Sequence, residues 1–145
     1  KNREKIKKEV KDMTKFMEFK NGIVIANTTP HNIVMQDTDG ELVTVENNPD
    51  KLINASTTQI YWGGIYTEAK FEPTAEGAAI IAEIKKDFVK RYSATGKTLV
   101  IIGSIIAAQA YPEEVAAMLP VPGYERVAPN EKRMRCDQFT MYRRK

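Results

Sequence analysis

The chain has 145 residues, of which 42% are hydrophobic and 28% charged, and a net charge of +3, which is typical of a single soluble globular domain. No apolar run approaches the roughly 20 residues that cross a bilayer, and the charged first residues lack an apolar signal region, so a membrane or secreted protein is not expected. The single cysteine, Cys136, excludes an intrachain disulfide and suits a reducing cytoplasm.

The first predicted element is an amphipathic helix from Asn2 to Phe19, which Asn21-Gly22 would end. Its apolar residues recur every three or four positions, at Ile6, Val10, Met13 and Met17. This stripe is narrow, so the helix either docks on its own domain or pairs with a second copy. We therefore divide the chain into an N-terminal helix, residues 1–20, that is a candidate oligomerisation seam, and a single α+β ligand-binding domain, residues 21–145.

Apolar and β-branched runs in the middle of the chain predict strands that turn residues separate. The runs are Ile23 to Ala26, Ile33 to Met35, Glu41 to Glu46, Ser56 to Trp62 and Ile65 to Phe71. Asp39-Gly40 is a tight hairpin signal, and Gly63-Gly64 breaks the chain between the last two runs. Trp62, beside this break, either stacks on a base or packs half-buried.

A second helix is predicted after Pro73, with an apolar face that ends near residues 93–96. This face is formed by Ile81, Ile84, Phe88 and Tyr92. Lys97 to Ile102 has no polar alternation and is predicted to be a central strand.

The remaining predicted elements are a short helix and a last strand. The helix would start at Tyr111-Pro112-Glu113-Glu114 and end before Pro120, and Asp137 to Tyr142 alternates like a strand. The predicted fold class is therefore α+β, with a mostly antiparallel β-sheet, an N-terminal helix, one long central helix and a short C-terminal helix.

Residues that commonly carry catalysis are scarce. Gly96-Lys97-Thr98 resembles the end of a phosphate-binding loop, but Arg91 occupies the place of the required first glycine, and a strand is predicted to follow. His31 is the only histidine, so it and Cys136 cannot complete a zinc site with nitrogen and sulfur ligands. We favour a turn around His31, although a ligand contact from this loop stays open. We accordingly predict no catalytic residue, no metal and no cofactor.

The charges are distributed unevenly along the chain. Residues 1–20 carry a net charge of +4, residues 21–90 carry −5, and residues 91–145 carry +4. This pattern argues against a nucleic-acid-binding protein with one broad positive face. It permits either self-association or a localised anion site.

The last quarter, Gly103 to Tyr142, combines basic and aromatic residues. They are Tyr124, Arg126, Lys132, Arg133, Arg135, Phe139 and Tyr142. Guanidinium groups bind phosphates through two parallel hydrogen bonds, and planar side chains stack on bases. The cluster therefore predicts a site for a small ligand that contains phosphates and a base. The alternative is a solvated surface with ion pairs that each contribute at most about 1 kcal/mol.

Three blocks of this sequence also carry a family resemblance. They are Asn27 to Ile33 (NTTPHNI), Gly103 to Pro112 (GSIIAAQAYP) and Pro122 to Val127 (PGYERV). They resemble the Thoeris anti-defence sponge family of phage proteins, the first type described, over about residues 23–142. Its members bind glycocyclic ADP-ribose made by bacterial TIR enzymes and hold it without cleaving it, which deprives the NAD-depleting effector of its signal. Some members also bind cyclic oligonucleotides.

The resemblance implies a non-enzymatic protein of the host bacterial cytoplasm that sequesters this cyclic nucleotide signal. It implies a homodimer or higher homo-oligomer with pockets near the subunit contacts, and no DNA or membrane partner. In this hypothesis the arginines bind phosphates, tyrosines contact the base or ribose, and small or polar residues line the mouth or allow close backbone approach. The expected ligand-binding residues are Arg126, Arg133, Arg135, Tyr124, Tyr111, Asn27, Thr28, His31, Gly103 and Ser104.

Two other functions remain open at this point. The first is an enzyme that hydrolyses a nucleotide, which would have to use carboxylates or a carboxylate-bound Mg²⁺. Asp37 and Asp39, however, are better explained by the hairpin turn. The second is a phage structural or protein-interaction module without nucleotide affinity, in which the arginines form intersubunit contacts.

Overall fold

The computed structural model describes residues 13–144, and within them the chain is an α+β domain made mostly of strands. It contains two α-helices, which we name α1 (Ala75–Tyr92) and α2 (Ile105–Ala110), and one 3₁₀ turn, Pro129–Glu131. The strands are β1 (Met17–Glu18), β2 (Ile23–Asn27), β3 (Ile33–Gln36), β4 (Leu42–Val45), β5 (Ser56–Trp62), β6 (Tyr66–Glu72), β7 (Thr98–Ile102), β8 (Ala117–Pro120) and β9 (Met134–Thr140).

The described strands form three sheets, two of which combine parallel and antiparallel pairs. One sheet has the order β1-β2-β7, a second has the order β4-β3-β9-β8, and β5 and β6 form a separate hairpin. Pairs β2–β7 and β3–β9 are parallel, and the other ladders are antiparallel. The predicted α+β class is therefore confirmed, and the predicted antiparallel preference holds for most of the ladders.

Helix α1 forms where the sequence predicted it. The side chain of Thr74 caps its N-terminus by accepting a hydrogen bond from Gly77 N at 3.0 Å. Its buried face includes the predicted Ile81 and Ile84 and packs into a first core with β7, α2 and Tyr111.

A second core lies between the three-stranded and four-stranded sheets. Strands β2 and β7 separate the two cores, because their side chains alternate in direction. Ala26 and Ile101 belong to the first core, whereas Ile25 and Ile102 belong to the second. This double coverage explains the continuous apolar sequence of β7, which was expected to be central. The prediction is wrong about position, because β7 is an end strand of its sheet.

The N-terminal helix prediction is wrong where the structure describes it. Met17 and Glu18 form β1, which pairs antiparallel with β2, and Phe19 is buried in the second core. Thr14 donates from its backbone N and its hydroxyl to Oδ2 of Asp87 on α1, at 3.0 and 2.7 Å. These tertiary contacts override the local helical spacing. The rest of the predicted helix, residues 2–12, lies outside the described residues.

The predicted position of the short C-terminal helix is also wrong. Helix α2 ends at Ala110, and the segment predicted to be helical forms a turn followed by β8. Ser104 starts α2 earlier than expected because its Oγ accepts from Ala107 N at 3.1 Å. Glu113 has a φ of 67°, which a helix does not allow. The last strand, β9, begins at Met134 instead of Asp137. Neither described helix is long and apolar enough to cross a membrane.

Candidate functional site

The structure places the predicted ligand-binding residues in three separate regions. Four of them lie at or just beyond the carboxyl ends of the parallel strands β2 and β7, namely Asn27, Thr28, Gly103 and Ser104. Tyr111 lies against α1 in the first core. His31 lies in the turn that follows β2, and the other four, Tyr124, Arg126, Arg133 and Arg135, lie on β9 and on the loop that precedes it.

Asn27 is fully buried and its side chain is fully used within the protein. Its Nδ2 donates to the carbonyl oxygens of His31 and Val45, at 2.9 and 3.2 Å. Its Oδ1 accepts from the backbone N and the hydroxyl of Thr29, at 2.9 and 2.6 Å. This network holds the turn that follows β2. His31 is exposed and contributes its backbone carbonyl to the turn, which matches the turn that we favoured from the sequence.

The neighbouring residues at this end of the sheet also have local roles. The hydroxyl of buried Thr28 donates to the carbonyl of Ile102 at 2.7 Å. A Cβ on Gly103 would lie 2.8 Å from Cγ1 of Val115, so the glycine allows tight packing inside the protein. Ser104 caps α2, as described above. The structure therefore gives each of these predicted residues an internal contact.

Tyr111 is buried, and its side chain is hydrogen-bonded to the N-terminal cap of α1. Its hydroxyl accepts from Thr74 N at 2.7 Å, and the ring borders a cavity of about 410 Å³. The cations beside this cavity, Lys85 and Arg144, lie within ion-pair distance of two carboxylates: Glu114 pairs with both of them, and Glu113 pairs with Arg144. Because their charge is offset, this cavity is a poor match for the phosphates of the predicted ligand.

The third region is the β8–β9 loop, which we define as residues 121–133. Its two ends are held together by a hydrogen bond from Val121 N to the carbonyl of Arg133 at 3.0 Å. Inside the loop, Tyr124 N donates to the carbonyl of Val121 at 2.9 Å. Loops of this length between hydrogen-bonded strands are often binding loops.

Arg133 and Tyr124 meet at the base of this loop. The guanidinium carbon of Arg133 lies 4.1 Å from the centre of the Tyr124 ring, which is a cation–π contact. Nη1 of Arg133 donates to Oε1 of Gln36 on β3 at 3.3 Å. These contacts fix the plane of the guanidinium group and leave the edge formed by Nε and Nη2 without a described partner.

Nε of Arg133 is enclosed and has no hydrogen-bond acceptor among residues 13–144. Leaving a buried donor unsatisfied costs about 1–3 kcal/mol, and native proteins contain few such groups. The edge between Nε and Nη2 presents two parallel donors, which is the geometry that binds a phosphate or carboxylate. Arg133 therefore has unused capacity for an anion.

Two further cations of the β8–β9 loop remain unpaired. Within the part of the chain that the structure describes, the side chains of Arg126 and Lys132 are exposed and form neither ion pairs nor hydrogen bonds. The loop also contains two carboxylates, Glu125 and Glu131, of which Glu125 accepts from Gly123 N at 3.0 and 3.2 Å, so that with Arg133 its net charge is +1. The loop thus offers positive charge to an incoming anion.

Arg135 differs from Arg133 because it is already paired. Its Nε and Nη2 donate to the two carboxylate oxygens of Asp137 at 2.8 and 3.1 Å. The hydrogen bond to Asp137 raises the pKa of Arg135, and Arg135 in turn lowers the pKa of Asp137. Both residues, with Asp37, line a cavity of about 240 Å³. This cavity is smaller than the roughly 300 Å³ at which ligand pockets begin, and its carboxylates oppose phosphate binding.

Cys136, between these residues, is buried. Burial raises the pKa of its thiol, and the nearby carboxylates of Asp37 and Asp137 raise it further. The thiol is therefore protonated near neutral pH and is a poor nucleophile. Among residues 13–144, no group of three His, Cys, Asp or Glu side chains is arranged to hold a metal ion.

Gln36 is a site residue that the sequence analysis missed. It reaches Arg133 because β3 and β9 pair in parallel, with Gln36 opposite Arg135. Gln36 and Arg133 are 97 positions apart in the chain. A lone glutamine at the end of a short strand gives no sequence signal for such a contact.

Comparison with known proteins adds no assignment to this geometry. No family model matches the chain, no curated protein matches it, and no solved structure matches it.

Proposed function

We propose that this chain binds a nucleotide of the cyclic ADP-ribose type and holds it without cleaving it. The observation that supports this proposal best is Arg133, which is stacked on Tyr124, anchored by Gln36 and left with an unsatisfied Nε donor. Such an arrangement suits a ligand that combines phosphate oxygens with a planar base. It does not require a general base, a metal or a nucleophile.

The phosphates would bind at the free edge of Arg133. Because Nε is enclosed, the β8–β9 loop has to open slightly before an oxygen reaches this atom. Gly123, with a φ of 92°, is a point where the loop backbone can change conformation. Arg126 and Lys132 then contribute positive charge when the loop closes over the ligand.

The base would extend the stack formed by Arg133 and Tyr124. Both side chains are half-buried, so the planar pair is accessible in part. Guanidinium planes and aromatic rings both stack on bases, and such contacts tolerate different bases because every base has a π-face. This tolerance is consistent with a second class of ligand, the cyclic oligonucleotides, that the resemblance implies.

In this proposal the protein acts as a phage sponge in the host bacterial cytoplasm. By removing glycocyclic ADP-ribose it would block Thoeris immunity, as the three resembling sequence blocks imply. Sequestration depends on slow release, which a closing loop and a pre-organised arginine favour. Assembly as a homodimer or higher homo-oligomer belongs to the same proposal.

Calorimetric titration with glycocyclic ADP-ribose tests the proposal, with ADP-ribose as the control compound. We expect wild-type protein to bind the cyclic molecule tightly, and Arg133→Gln to bind it roughly 10- to 100-fold more weakly, since a hydrogen bond to a charged group contributes about 1.5–3 kcal/mol. The matched control is Arg135→Gln, which removes the same charge from a side chain that already forms an ion pair with Asp137. Its affinity should stay within about threefold of wild type.

Two results would contradict the proposal. Wild-type protein that produces no heat with either compound has no nucleotide site, and equal affinities of Arg133→Gln and wild type would exclude Arg133 from it. Cleavage is tested separately by denaturing the complex and recovering the ligand. Intact glycocyclic ADP-ribose supports sequestration, whereas a hydrolysed product would favour the enzyme that the sequence left open.

A protein-interaction module without nucleotide affinity is the second candidate. The observation that favours it is the β5–β6 hairpin, which exposes several large apolar side chains. Absence of nucleotide binding together with self-association would support this alternative.

A further inference from the structure

The cavity of about 240 Å³ beside Arg135 does not suit phosphates, but it adjoins the Arg133 site. Gln36 lines this cavity and also accepts from Nη1 of Arg133. Val121, whose backbone N donates to the carbonyl of Arg133, lines it as well. At about 30 Å³ per water molecule the cavity has room for about eight waters, which is enough for one sugar ring and too little for a whole nucleotide.

Asp37 provides a hydrogen-bond acceptor in this cavity. The residue lines the cavity and is 7% exposed. Its Oδ1 accepts from the backbone N of Lys20 and of Thr38, at 3.2 and 2.7 Å. Its Oδ2 has neither a hydrogen-bond donor nor an ion-pair partner within residues 13–144. Polar atoms of buried residues are normally satisfied, so this oxygen has capacity for a donor from a ligand.

The other polar groups of the cavity fit a hydroxyl group better than an ion. Asp137 is already paired with Arg135 through both carboxylate oxygens. Gln36 uses Oε1 for Arg133, while its Nε2 has no acceptor in the described part of the chain. Oδ2 of Asp37 and Nε2 of Gln36 therefore offer one acceptor and one donor on adjacent residues, which suits a hydroxyl, because a hydroxyl both donates and accepts. An ionised phosphate only accepts, and the two carboxylates would repel it.

We propose that this cavity binds a ribose of the nucleotide, with Asp37 accepting from a ribose hydroxyl while Arg133 binds the adjoining phosphate. The inference rests on the proposed function and accounts for the part of the ligand that Arg133 and Tyr124 leave without contacts. Carboxylates bind ribose hydroxyls in the same way in dinucleotide-binding folds. A site built to pair with a hydroxyl rejects ligands that lack it, because its own polar group then stays unpaired. The cavity would therefore select for the sugar, whereas stacking on Tyr124 tolerates different bases.

Two asparagine variants test the ribose cavity in the full chain. Asp37→Asn keeps an oxygen for the backbone N of Lys20 and Thr38 but replaces the accepting Oδ2 by an NH₂ donor. The matched control is Asp39→Asn, which removes the same charge from an exposed residue of the same hairpin that does not line the cavity. Losing a negative charge should by itself leave the affinity for an anionic nucleotide unchanged or raise it. A weaker affinity of Asp37→Asn alone therefore reports the lost hydroxyl contact.

Calorimetry with glycocyclic ADP-ribose gives the readout, and urea unfolding checks that both variants fold. We expect Asp37→Asn to bind roughly 10- to 100-fold more weakly than wild type, and Asp39→Asn to stay within about threefold. Binding by Asp37→Asn as tight as that of wild type, or tighter, would overturn the ribose cavity. Equal weakening by both variants would overturn it too, because the effect would then belong to the hairpin.

Wild-type protein gives a second measurement that needs no variant. An analogue of the ligand without its free ribose hydroxyls should bind at least about tenfold more weakly, and equal affinities for the two molecules would overturn the proposal. Failure of the proposed function looks different, because wild type then produces no heat with glycocyclic ADP-ribose or Arg133→Gln binds it as tightly as wild type does.

Discussion

Replacing Gly77 by alanine should destabilise the protein, although the same change usually favours a helix. Gly77 lies in the first turn of α1, where alanine would ordinarily gain up to about 1 kcal/mol. Here a Cβ would lie 1.9 Å from Oη and 2.6 Å from Cζ of Tyr111. Side chains do not approach so closely, so the Tyr111 ring has to move.

The expected loss of stability follows from the contacts that the Tyr111 side chain would lose. Moving the hydroxyl of Tyr111 breaks its 2.7 Å hydrogen bond from Thr74 N, which is partly buried, and leaving such an amide unsatisfied costs about 1–3 kcal/mol. Overpacking the core adds about 1–3 kcal/mol. After the helix propensity of alanine is subtracted, Gly77→Ala should lower the free energy of unfolding by about 2–4 kcal/mol, or the melting temperature by about 10 °C.

Urea unfolding of four proteins tests this reasoning: wild type, Gly77→Ala, Tyr111→Leu and the double variant. Without the phenol ring, Gly77→Ala should be neutral or stabilise by up to about 1 kcal/mol. The double-mutant cycle should therefore show a coupling energy of about 2–3 kcal/mol. A Gly77→Ala variant as stable as wild type, or a cycle without coupling, would refute the proposed clash. Confirmation would explain Tyr111 as a packing residue and remove the need for a ligand contact.

Two further outcomes follow from buried groups. Because Cys136 is buried and its pKa is raised, iodoacetamide should alkylate the native protein at least about 100-fold more slowly than the denatured protein; equally rapid labelling would contradict its burial. Asn27→Ala removes the buried hydrogen bonds of its side chain with the carbonyl of Val45 and the backbone N of Thr29, so it should cost about 3 kcal/mol in urea unfolding, and an unchanged midpoint would show that the network is dispensable.

The long, regular patterns predicted the fold well. Ser56 to Trp62 and the run after Gly63-Gly64 became the β5–β6 hairpin, and Asp39-Gly40 became the turn between β3 and β4. In these segments local propensity, turn residues and pairing all favour the same structure. The prediction of α1 succeeded for the same reason, since its cap, its charges and its apolar face agree.

The errors occurred where distant contacts decide local structure. The spacing of Met13 and Met17 is helical, yet the pairing of Met17 with Ile25 and the burial of Phe19 favour a strand. The helix predicted from Tyr111 onwards does not form, because the ring of Tyr111 packs on α1 and its hydroxyl accepts a hydrogen bond at the start of that helix. Neither contact can be inferred from the residues that surround it in the sequence.

The site could be predicted by residue type but not by arrangement. From the sequence, Arg133 and Arg135 belong to one cluster of basic and aromatic residues in the last quarter of the chain. In the structure Arg135 is satisfied by Asp137, whereas Arg133 is stacked on Tyr124 and held by Gln36. The difference depends on the parallel pairing of β3 with β9, which no local pattern reveals.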